Sequence, residues 1–217
     1  MRGSVGRATD LAELLRLVVI TDARLAAPRS VEDVVAAALQ AGARAVQLRD
    51  KSATPREQVA AAGRLLELTR PVGALLFVND RLDVALAAGA DGVHLGPDDL
   101  PVEAARRAAP AGLLVGYSTD DPERARSAAA EGADYVGCGA VWSTGTKAVG
   151  DEAIGLERLD AVARAVDVPV VAIGGITPER AAEVARTHAA GVAVVSAVMA
   201  APHPGDAVRA LLEPFRR

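Results

Sequence analysis

Residues 75–100 read LLFVNDRLDVALAAGADGVHLGPDDL, with two short apolar runs, LLFV and GVHL, on either side of a segment rich in Ala and Leu. A strand that is apolar throughout is buried on both faces, as in a parallel sheet that helices cover. Polar residues follow the first run directly and the second run after Gly96 and Pro97. Because ligands bind beyond the carboxyl ends of strands in α/β proteins, this stretch predicts two parallel strands that carry polar groups of a binding site.

The polar residues after these runs have simpler interpretations when each is considered alone. Asn79 and Asp80 follow the first run, and Asp98 and Asp99 follow the second. Asp80 is suited to cap the next helix, and Asp98 and Asp99 are suited to form a turn. The rest of the chain has to distinguish these structural roles from a binding site.

An alternation of strand and helix patterns runs through the chain from about residue 14. Eight apolar runs predict strands, and they read LVVI, AVQLR, LLFV, GVHL, LLVGYS, YVGCG, PVVAIGG and VAVVS. Each is followed by a helical pattern, and the repeat of roughly 20 to 30 residues is typical of a βα unit. We therefore predict an α/β fold, a single (β/α)8 TIM barrel over residues 14–217. A lead-in of residues 1–13 precedes it, with a short helix at residues 11–15, and an open doubly wound sheet is the alternative fold.

Capping residues mark the ends of several predicted helices. Ser30, Thr54 and Thr177 are suited to be N-caps, and Pro55 occupies a first helical position. A glycine at a helix end supplies the left-handed C-cap from which the chain turns into the next strand. Four segments show this glycine pattern, and they read AGARAV, AGADGV, EGADYV and AAGVAV.

The overall composition excludes several classes of function. The net charge is -4, the basic residues are scattered and only 2% of residues are aromatic, so we expect no nucleic acid and no membrane as partner. No stretch is apolar enough to span a bilayer, and Glu13 and Arg16 argue against a signal peptide. The single cysteine, Cys138, is expected to be a small buried residue in a reducing compartment. We therefore expect a cytoplasmic protein whose core is built from Ala, Val, Leu and Ile.

In a barrel, the polar residues just after the strands converge on one face. These residues are Thr21, Asp22, Gln47, Arg49, Asp50, Lys51, Asn79, Asp80, Asp98, Asp99, Ser118, Thr144, Thr146, Lys147, Gly174, Gly175 and Ser196. They provide basic groups, hydroxyls, a glycine pair and carboxylates. Mg²⁺ takes one or two protein carboxylates together with phosphate oxygens, so we predict Mg²⁺ at Asp80 and Asp99.

Gly174 and Gly175 leave two interpretations open. They form either a tight turn or the backbone donors of the phosphate site that barrels commonly build after strands seven and eight. With Ser196, the second interpretation adds a ligand that carries a monophosphate. The residues alone thus indicate a barrel that binds a diphosphate through Mg²⁺ and basic groups, beside a monophosphate. An enzyme that joins two small molecules and releases pyrophosphate needs these parts.

Several motifs of the chain resemble, in content and in order, those of the thiamine-phosphate synthase family. The motifs are QLRDK, FVNDRLDVALAAGADGVHLGPDDL, GYS, GADYVGCGAVWSTGTK, VVAIGGI and VAVVSAV, and together they cover nearly all of the chain after the lead-in. The resemblance implies a (β/α)8 barrel that joins a pyrimidine diphosphate to a thiazole phosphate. It also implies small-molecule substrates and Mg²⁺ as cofactor, whereas a homo-oligomeric state is left open.

The resemblance also implies roles for individual residues. The implied catalytic residues are Arg49, Lys51, Ser118 and Lys147. The implied substrate-binding residues are Gln47, Leu48, Arg49, Asp50, Lys51, Asn79, Ser118, Thr144, Gly145, Thr146, Lys147, Gly174, Gly175, Val195 and Ser196. The implied metal ligands are Asp80 and Asp99.

The chain departs from the pattern of that family at several positions near the expected active face. These positions are Asp50, Pro97, Asp98, Tyr117, Ala140 and Trp142. They leave loop geometry and substrate preference open. Two alternative functions use the same barrel: a metal-independent thiazole tautomerase, and a non-catalytic binder of phosphate ligands. Neither needs Arg49, Lys51, Asp80 and Asp99 as a set, and this favours the synthase.

Overall fold

The computed structural model describes residues 10–143 and 153–216, and within these ranges eight parallel strands close into a barrel in chain order. The strands are β1 (Leu17–Ile20), β2 (Ala45–Leu48), β3 (Leu75–Asn79), β4 (Gly92–Leu95), β5 (Leu114–Ser118), β6 (Tyr135–Cys138), β7 (Val170–Ile173) and β8 (Gly191–Val194). Strand β8 pairs with β1 and closes the sheet. The predicted TIM barrel is confirmed, and the alternative of an open sheet is wrong.

Helices connect the strands and cover the outside of the barrel. They are α1 (Ala23–Ala26), α2 (Val31–Gln40), α3 (Pro55–Thr69), α4 (Leu82–Ala88), α5 (Val102–Ala108), α6 (Pro122–Glu131), α7 (Gly155–Ala165), α8 (Pro178–Val184), α9 (Ser196–Met199) and α10 (Pro204–Leu212). No helix in residues 10–143 and 153–216 combines the length and apolar character that crossing a membrane requires. Residues 10–14 are also helical, close to the short helix predicted at residues 11–15.

The predicted N-caps are confirmed. The side chains of Ser30, Thr54 and Thr177 each accept a hydrogen bond from a backbone N–H in the first turn of α2, α3 and α8. At α3, Glu57 also accepts from the backbone N–H of Thr54, which completes a capping box. Pro55 occupies the first position of α3, as expected.

The glycine pattern at the helix ends is correct in three of its four segments. Gly89 and Gly132 are left-handed C-caps with φ of 67° and 107°, and Gly42 also has positive φ, at 113°. Gly191 was wrongly assigned to this group, because it is the first residue of β8. A Cβ there would lie 2.2 Å from the carbonyl oxygen of Leu15, so this glycine allows a close approach of two backbones.

The interior of the barrel differs from the aliphatic core that composition predicts. Phe77 and Tyr135 fill it, with their ring centroids 5.2 Å apart in an edge-to-face arrangement. Each ring faces a glycine on the neighbouring strand, since Phe77 pairs with Gly92 and Tyr135 with Gly116. Because these two rings fill the centre of the barrel, its interior needs few aromatic residues. The layer between the strands and the helices is built mainly from Ala, Val and Leu, as expected.

Candidate active site

A cavity of about 290 Å³ opens at the carboxyl ends of the strands. Ten of the residues predicted from the sequence line it, namely Gln47, Arg49, Lys51, Asn79, Asp80, Ser118, Gly174, Gly175, Val195 and Ser196. The size is close to that of small-molecule sites in proteins. The convergence expected for a barrel is therefore present in the described part of the chain.

One side of the cavity is apolar and the other is polar. Ile20, Ile173, Ile176 and Ala193 contribute apolar surface. Side chains alternate along a strand, so the inward positions of β1, β7 and β8 face the same space. This apolar wall is suited to a flat ring.

Lys51 and Asp80 line the cavity, and they form a compact group of charges with Asp99, which lies beside it and is not a lining residue. The Nζ atom of Lys51 lies 3.4 Å from Oδ2 of Asp80. Burial and the nearby carboxylate of Asp80 both raise the pKa of Asp99, although the backbone N–H of Gly96 donates to Asp99 at 2.7 Å. A pair of neighbouring carboxylates attracts a cation between them. Within the described residues no cluster of three or more His, Cys, Asp or Glu side chains forms a metal site, so a metal here would take its other ligands from elsewhere.

Asp80 has an unusual backbone conformation. Its φ is 64°, the only positive φ of a non-glycine residue within the described ranges. Its N–H donates to the carbonyl of His94 at 2.8 Å, which holds the residue across β3 and β4. The N-cap of α4 is Arg81, with no capping hydrogen bond from its side chain. The simple interpretation of Asp80 as a helix cap is therefore wrong, and the conformation turns its carboxylate toward the rim, where it meets Lys51.

Two predicted substrate contacts lie outside the cavity. Leu48 is buried in the layer between the barrel and the helices, because it alternates with the inward-facing Gln47. Asp50 shapes the loop instead: its Oδ1 accepts from the backbone N–H groups of Ser52 and Ala53 at 2.9 and 3.1 Å. The hydroxyl of Ser52 also donates to Oδ1 at 2.7 Å, and this bond, followed by the backbone bonds, lowers the pKa of Asp50. The loop that presents Arg49 and Lys51 is thus fixed by Asp50.

Tyr117 also lies away from the cavity, although the sequence placed it near the active face. Its ring is buried on the outer side of β5, and the guanidinium of Arg124 stacks on it at 4.7 Å. Trp142 follows β6 and packs under Arg180, 5.1 Å from the ring centroid. Thr144, Gly145, Thr146 and Lys147 lie outside the described residues.

Gly174 and Gly175 form a turn at the wall of the cavity with φ of 100° and 65°. A Cβ on Gly174 would lie 2.6 Å from Cα of Ala140, and one on Gly175 would lie 2.9 Å from Cβ of Trp142. Nη1 of Arg180 donates to the carbonyl of Gly175 at 2.6 Å and fixes the turn. The predicted tight turn is therefore present. It lies on the same cavity wall as Ser196, and this position is also compatible with a phosphate site.

His94, within β4, lines the cavity. Its Nδ1 lies 2.8 Å from the hydroxyl of Tyr135 and its Nε2 lies 2.8 Å from Oγ of Ser118. Burial lowers the pKa of His94 to about 4, so the ring is neutral near pH 7. Sequence reasoning missed the role of Tyr135. The signal available was the alternation along β6, which places Tyr135 and Gly137 on the inner face.

The lowered pKa of His94 predicts a pH-dependent stability. Between pH 6.5 and about 4 the unfolded chain binds a proton at His94 that the folded chain does not, so the free energy of unfolding falls as pH falls through this window. We expect this contribution to be about 2 to 3 kcal/mol between about pH 7 and about pH 4.5. Urea unfolding of the wild type and of His94→Gln at both pH values measures it. An equal loss in the two proteins would contradict the assignment.

Cys138 is fully buried, as predicted, and burial raises the pKa of its thiol to about 12. A thiol with such a pKa is a poor nucleophile near neutral pH. Cys138 therefore has a packing role at the end of β6.

Together, the barrel and this cavity define a TIM-barrel protein whose carboxyl-end face is suited to phosphorylated small molecules. The profile of the thiamine monophosphate synthase family matches residues 17–198. The thiamine-phosphate synthase of Roseiflexus castenholzii is 50% identical over 195 residues, which cover 90% of this chain and 86% of that protein. That of Natronomonas pharaonis is 48% identical over 197 residues, covering 90% and 92% of the two chains.

A solved structure also resembles the chain closely. The thiamine phosphate pyrophosphorylase from Pyrococcus furiosus superposes with a TM-score of 0.86 at 45% identity, covering 94% of this chain and 97% of that one. The chain belongs to the thiamine monophosphate synthase family. It is a transferase of thiamine biosynthesis with thiamine-phosphate synthase function. The alternative of a non-catalytic binder is therefore set aside.

Proposed function

We propose that the chain couples 4-amino-2-methyl-5-(diphosphooxymethyl)pyrimidine to 4-methyl-5-(2-phosphoethyl)thiazole and releases thiamine phosphate and pyrophosphate. With the carboxylated thiazole as the second substrate, CO₂ is released as well. The observation that carries this proposal is the rim of the cavity. There Lys51 lies 3.4 Å from Asp80, and burial together with the carboxylate of Asp80 raises the pKa of Asp99, beside a cavity with one apolar wall. Carboxylates repel a diphosphate unless a metal ion lies between the two. A site that contains both cations and carboxylates is therefore suited to a diphosphate that binds together with a metal ion.

The diphosphate is assigned to the polar side of the cavity. Arg49 and Lys51 come from the loop after β2, and Asn79 and Ser118 come from the ends of β3 and β5. Arg49 forms no ion pair with a carboxylate of the described residues, so its charge is available to a ligand. Gln47 is almost fully buried and points its amide into the same space. Lys147, from the loop after β6, completes this group in our proposal.

The donor set fits Mg²⁺. Asp80 and Asp99 supply two carboxylate groups, which is the number that a Mg²⁺ ion bound with phosphate oxygens usually takes from a protein. When bound, the ion would neutralise charge that develops on the departing pyrophosphate.

With the uncarboxylated thiazole, the reaction requires that one bond breaks and one forms. The bond between the methylene carbon and the diphosphate oxygen breaks, and its electron pair leaves with pyrophosphate. The resulting pyrimidine cation is stabilised by resonance, and the lone pair of the thiazole nitrogen forms the new C–N bond. Arg49 and Lys51 stabilise the departing charge electrostatically. This coupling requires no general base, which agrees with the neutral, doubly hydrogen-bonded ring of His94.

The thiazole phosphate is assigned to the opposite wall. Gly174, Gly175, Val195 and Ser196 line it, and helix α9 begins at Ser196. Loops after the seventh and eighth strands, with a short extra helix, commonly form the phosphate site of a TIM barrel. Thr144, Gly145 and Thr146 belong to this site in our proposal, and a cytoplasmic location stays a prediction from the sequence.

The proposal is tested by supplying both substrates to the purified protein with Mg²⁺ and again with excess EDTA. We expect thiamine phosphate only with the metal, because the two carboxylates otherwise repel the diphosphate. Coupling that proceeds equally well in EDTA would refute the metal site. Interconversion of thiazole carboxylate tautomers without coupling would instead identify a tautomerase.

A further inference from the structure

We infer that Tyr135 is a positioning residue: its hydroxyl fixes the tautomer of His94, and the ring then directs the hydroxyl hydrogen of Ser118 into the cavity. The identity of the ligand that receives this hydrogen bond, a diphosphate, rests on the proposed function. The hydrogen-bond geometry itself does not depend on that function.

The hydroxyl of Tyr135 lies deep in the barrel. The residue is only 2% exposed, and burial raises its pKa, so the phenol keeps its proton. Within residues 10–143 and 153–216, its one hydrogen-bond partner is Nδ1 of His94, at 2.8 Å. A buried O–H group that donates to nothing is strongly disfavoured. The phenol therefore donates, and Nδ1 of His94 accepts without a proton of its own.

The tautomer of His94 follows from this assignment. A neutral imidazole has one nitrogen that donates and one that accepts. Because Nδ1 accepts, Nε2 carries the hydrogen and donates to Oγ of Ser118 at 2.8 Å. The opposite direction, with Ser118 donating to Nε2, would leave the Tyr135 hydrogen without an acceptor among the described residues.

The direction at Ser118 matters because this residue lines the cavity. Its oxygen already accepts from His94, so its own hydrogen is left to donate. The hydrogen bonds from Tyr135 through His94 to Ser118 thus leave the hydroxyl of Ser118 as a donor to an acceptor on a ligand. A donor fixed in advance stabilises a developing negative charge without reorganisation, and a departing pyrophosphate carries such charge.

Two glycines leave the space that the side chains of Tyr135, His94 and Ser118 occupy. A Cβ on Gly116 would lie 2.2 Å from Cζ of Tyr135 and 2.6 Å from Nδ1 of His94. A Cβ on Gly137 would lie 3.0 Å from Cε1 of His94 and 3.5 Å from Oγ of Ser118. The space beside both hydrogen bonds is therefore kept free by glycine. Any side chain at Gly116 would displace the bond between Tyr135 and His94.

The test is a double-mutant cycle between Tyr135→Phe and Ser118→Ala. Tyr135→Phe keeps the ring but lets the His94 proton move to Nδ1, so that Ser118 can turn its hydrogen away from the ligand. We expect kcat/KM for the pyrimidine diphosphate to fall by about tenfold, the scale of one hydrogen bond to a charged group. The KM for the thiazole phosphate should not change. In the double variant, we expect no further loss beyond that of Ser118→Ala alone.

A matched control is available at Tyr117, whose hydroxyl accepts from Nε of Arg124 at 3.2 Å on the outside of the barrel. Tyr117→Phe deletes the same atom and should leave kcat/KM unchanged. Losses from Tyr135→Phe and Ser118→Ala that multiply in the double variant would overturn the inference, because Tyr135 would then act independently of Ser118.

A second measurement needs neither a variant nor enzymatic activity. ¹⁵N NMR of the histidine rings in the folded wild type should show the His94 hydrogen on Nε2. A hydrogen on Nδ1 would overturn the inference even if the coupling activity is present. Conversely, a protein that fails to couple the two substrates but has the hydrogen on Nε2 would refute the proposed function and retain the tautomer assignment.

Discussion

Asp80→Asn is expected to lower kcat/KM for coupling by about a hundredfold to a thousandfold at a fixed Mg²⁺ concentration, the scale of losing one group that stabilises transition-state charge. The substitution removes the charge that faces Lys51 and the neighbouring Asp99. Asparagine tolerates the left-handed conformation that Asp80 adopts at φ of 64°, so the fold should be retained. Steady-state kinetics together with a thermal unfolding curve separate the two effects.

The control for this variant is Asp98→Asn, which removes the same charge from an exposed residue beside Asp99. It should leave the rate within about twofold, since an exposed charge is screened by solvent and salt. If Asp80→Asn unfolds the protein, or if it couples substrates as fast as Asp98→Asn, the assignment of Asp80 as a metal ligand is wrong.

Gly191→Ala is expected to destabilise the fold by at least about 3 kcal/mol, the upper range of overpacking in a core. The new Cβ would lie 2.2 Å from the carbonyl oxygen of Leu15 and 2.5 Å from Cα of Arg16. Both are backbone atoms at the seam where β8 pairs with β1, so the clash is relieved only by opening the barrel. Chemical denaturation of the purified variant measures the loss.

Gly63→Ala makes the same chemical change, but we expect it to raise the stability of the protein. Gly63 lies within helix α3, and nothing stands within 4 Å of the position that its Cβ would occupy. Alanine should stabilise the protein by about 0.5 to 1 kcal/mol, because glycine disfavours helix interiors. If Gly191→Ala is as stable as the wild type, the described closure of the barrel at this seam is incorrect.

The order and type of the elements could be predicted from local pattern. Apolar runs of four to seven residues alternate with helical segments whose caps, such as Thr54 and Thr177, have a recognisable chemistry. The convergence of residues such as Arg49, Asp80 and Ser118 then follows from the geometry of parallel strands alone. Closure of the barrel thereby brings residues that are distant in the sequence together at one site.

Other features depend on which face of a strand a residue occupies or on what lies across the barrel. Leu48 and Tyr117 were assigned to the site or its surroundings by position along the chain, yet alternation turns both away from the cavity. The link between Tyr135 and His94 joins residues 41 positions apart and depends on the register of β4, β5 and β6. No local pattern carries that information.

We propose above all that this cavity joins two substrates with release of pyrophosphate. ³¹P NMR of the protein with the pyrimidine diphosphate, the thiazole phosphate and Mg²⁺ follows both products in one sample. We expect one pyrophosphate for each thiamine phosphate formed, and no pyrophosphate above background with Asp80→Asn over the same time. Pyrophosphate released without thiamine phosphate, or no conversion of either substrate by the wild type, would contradict the account.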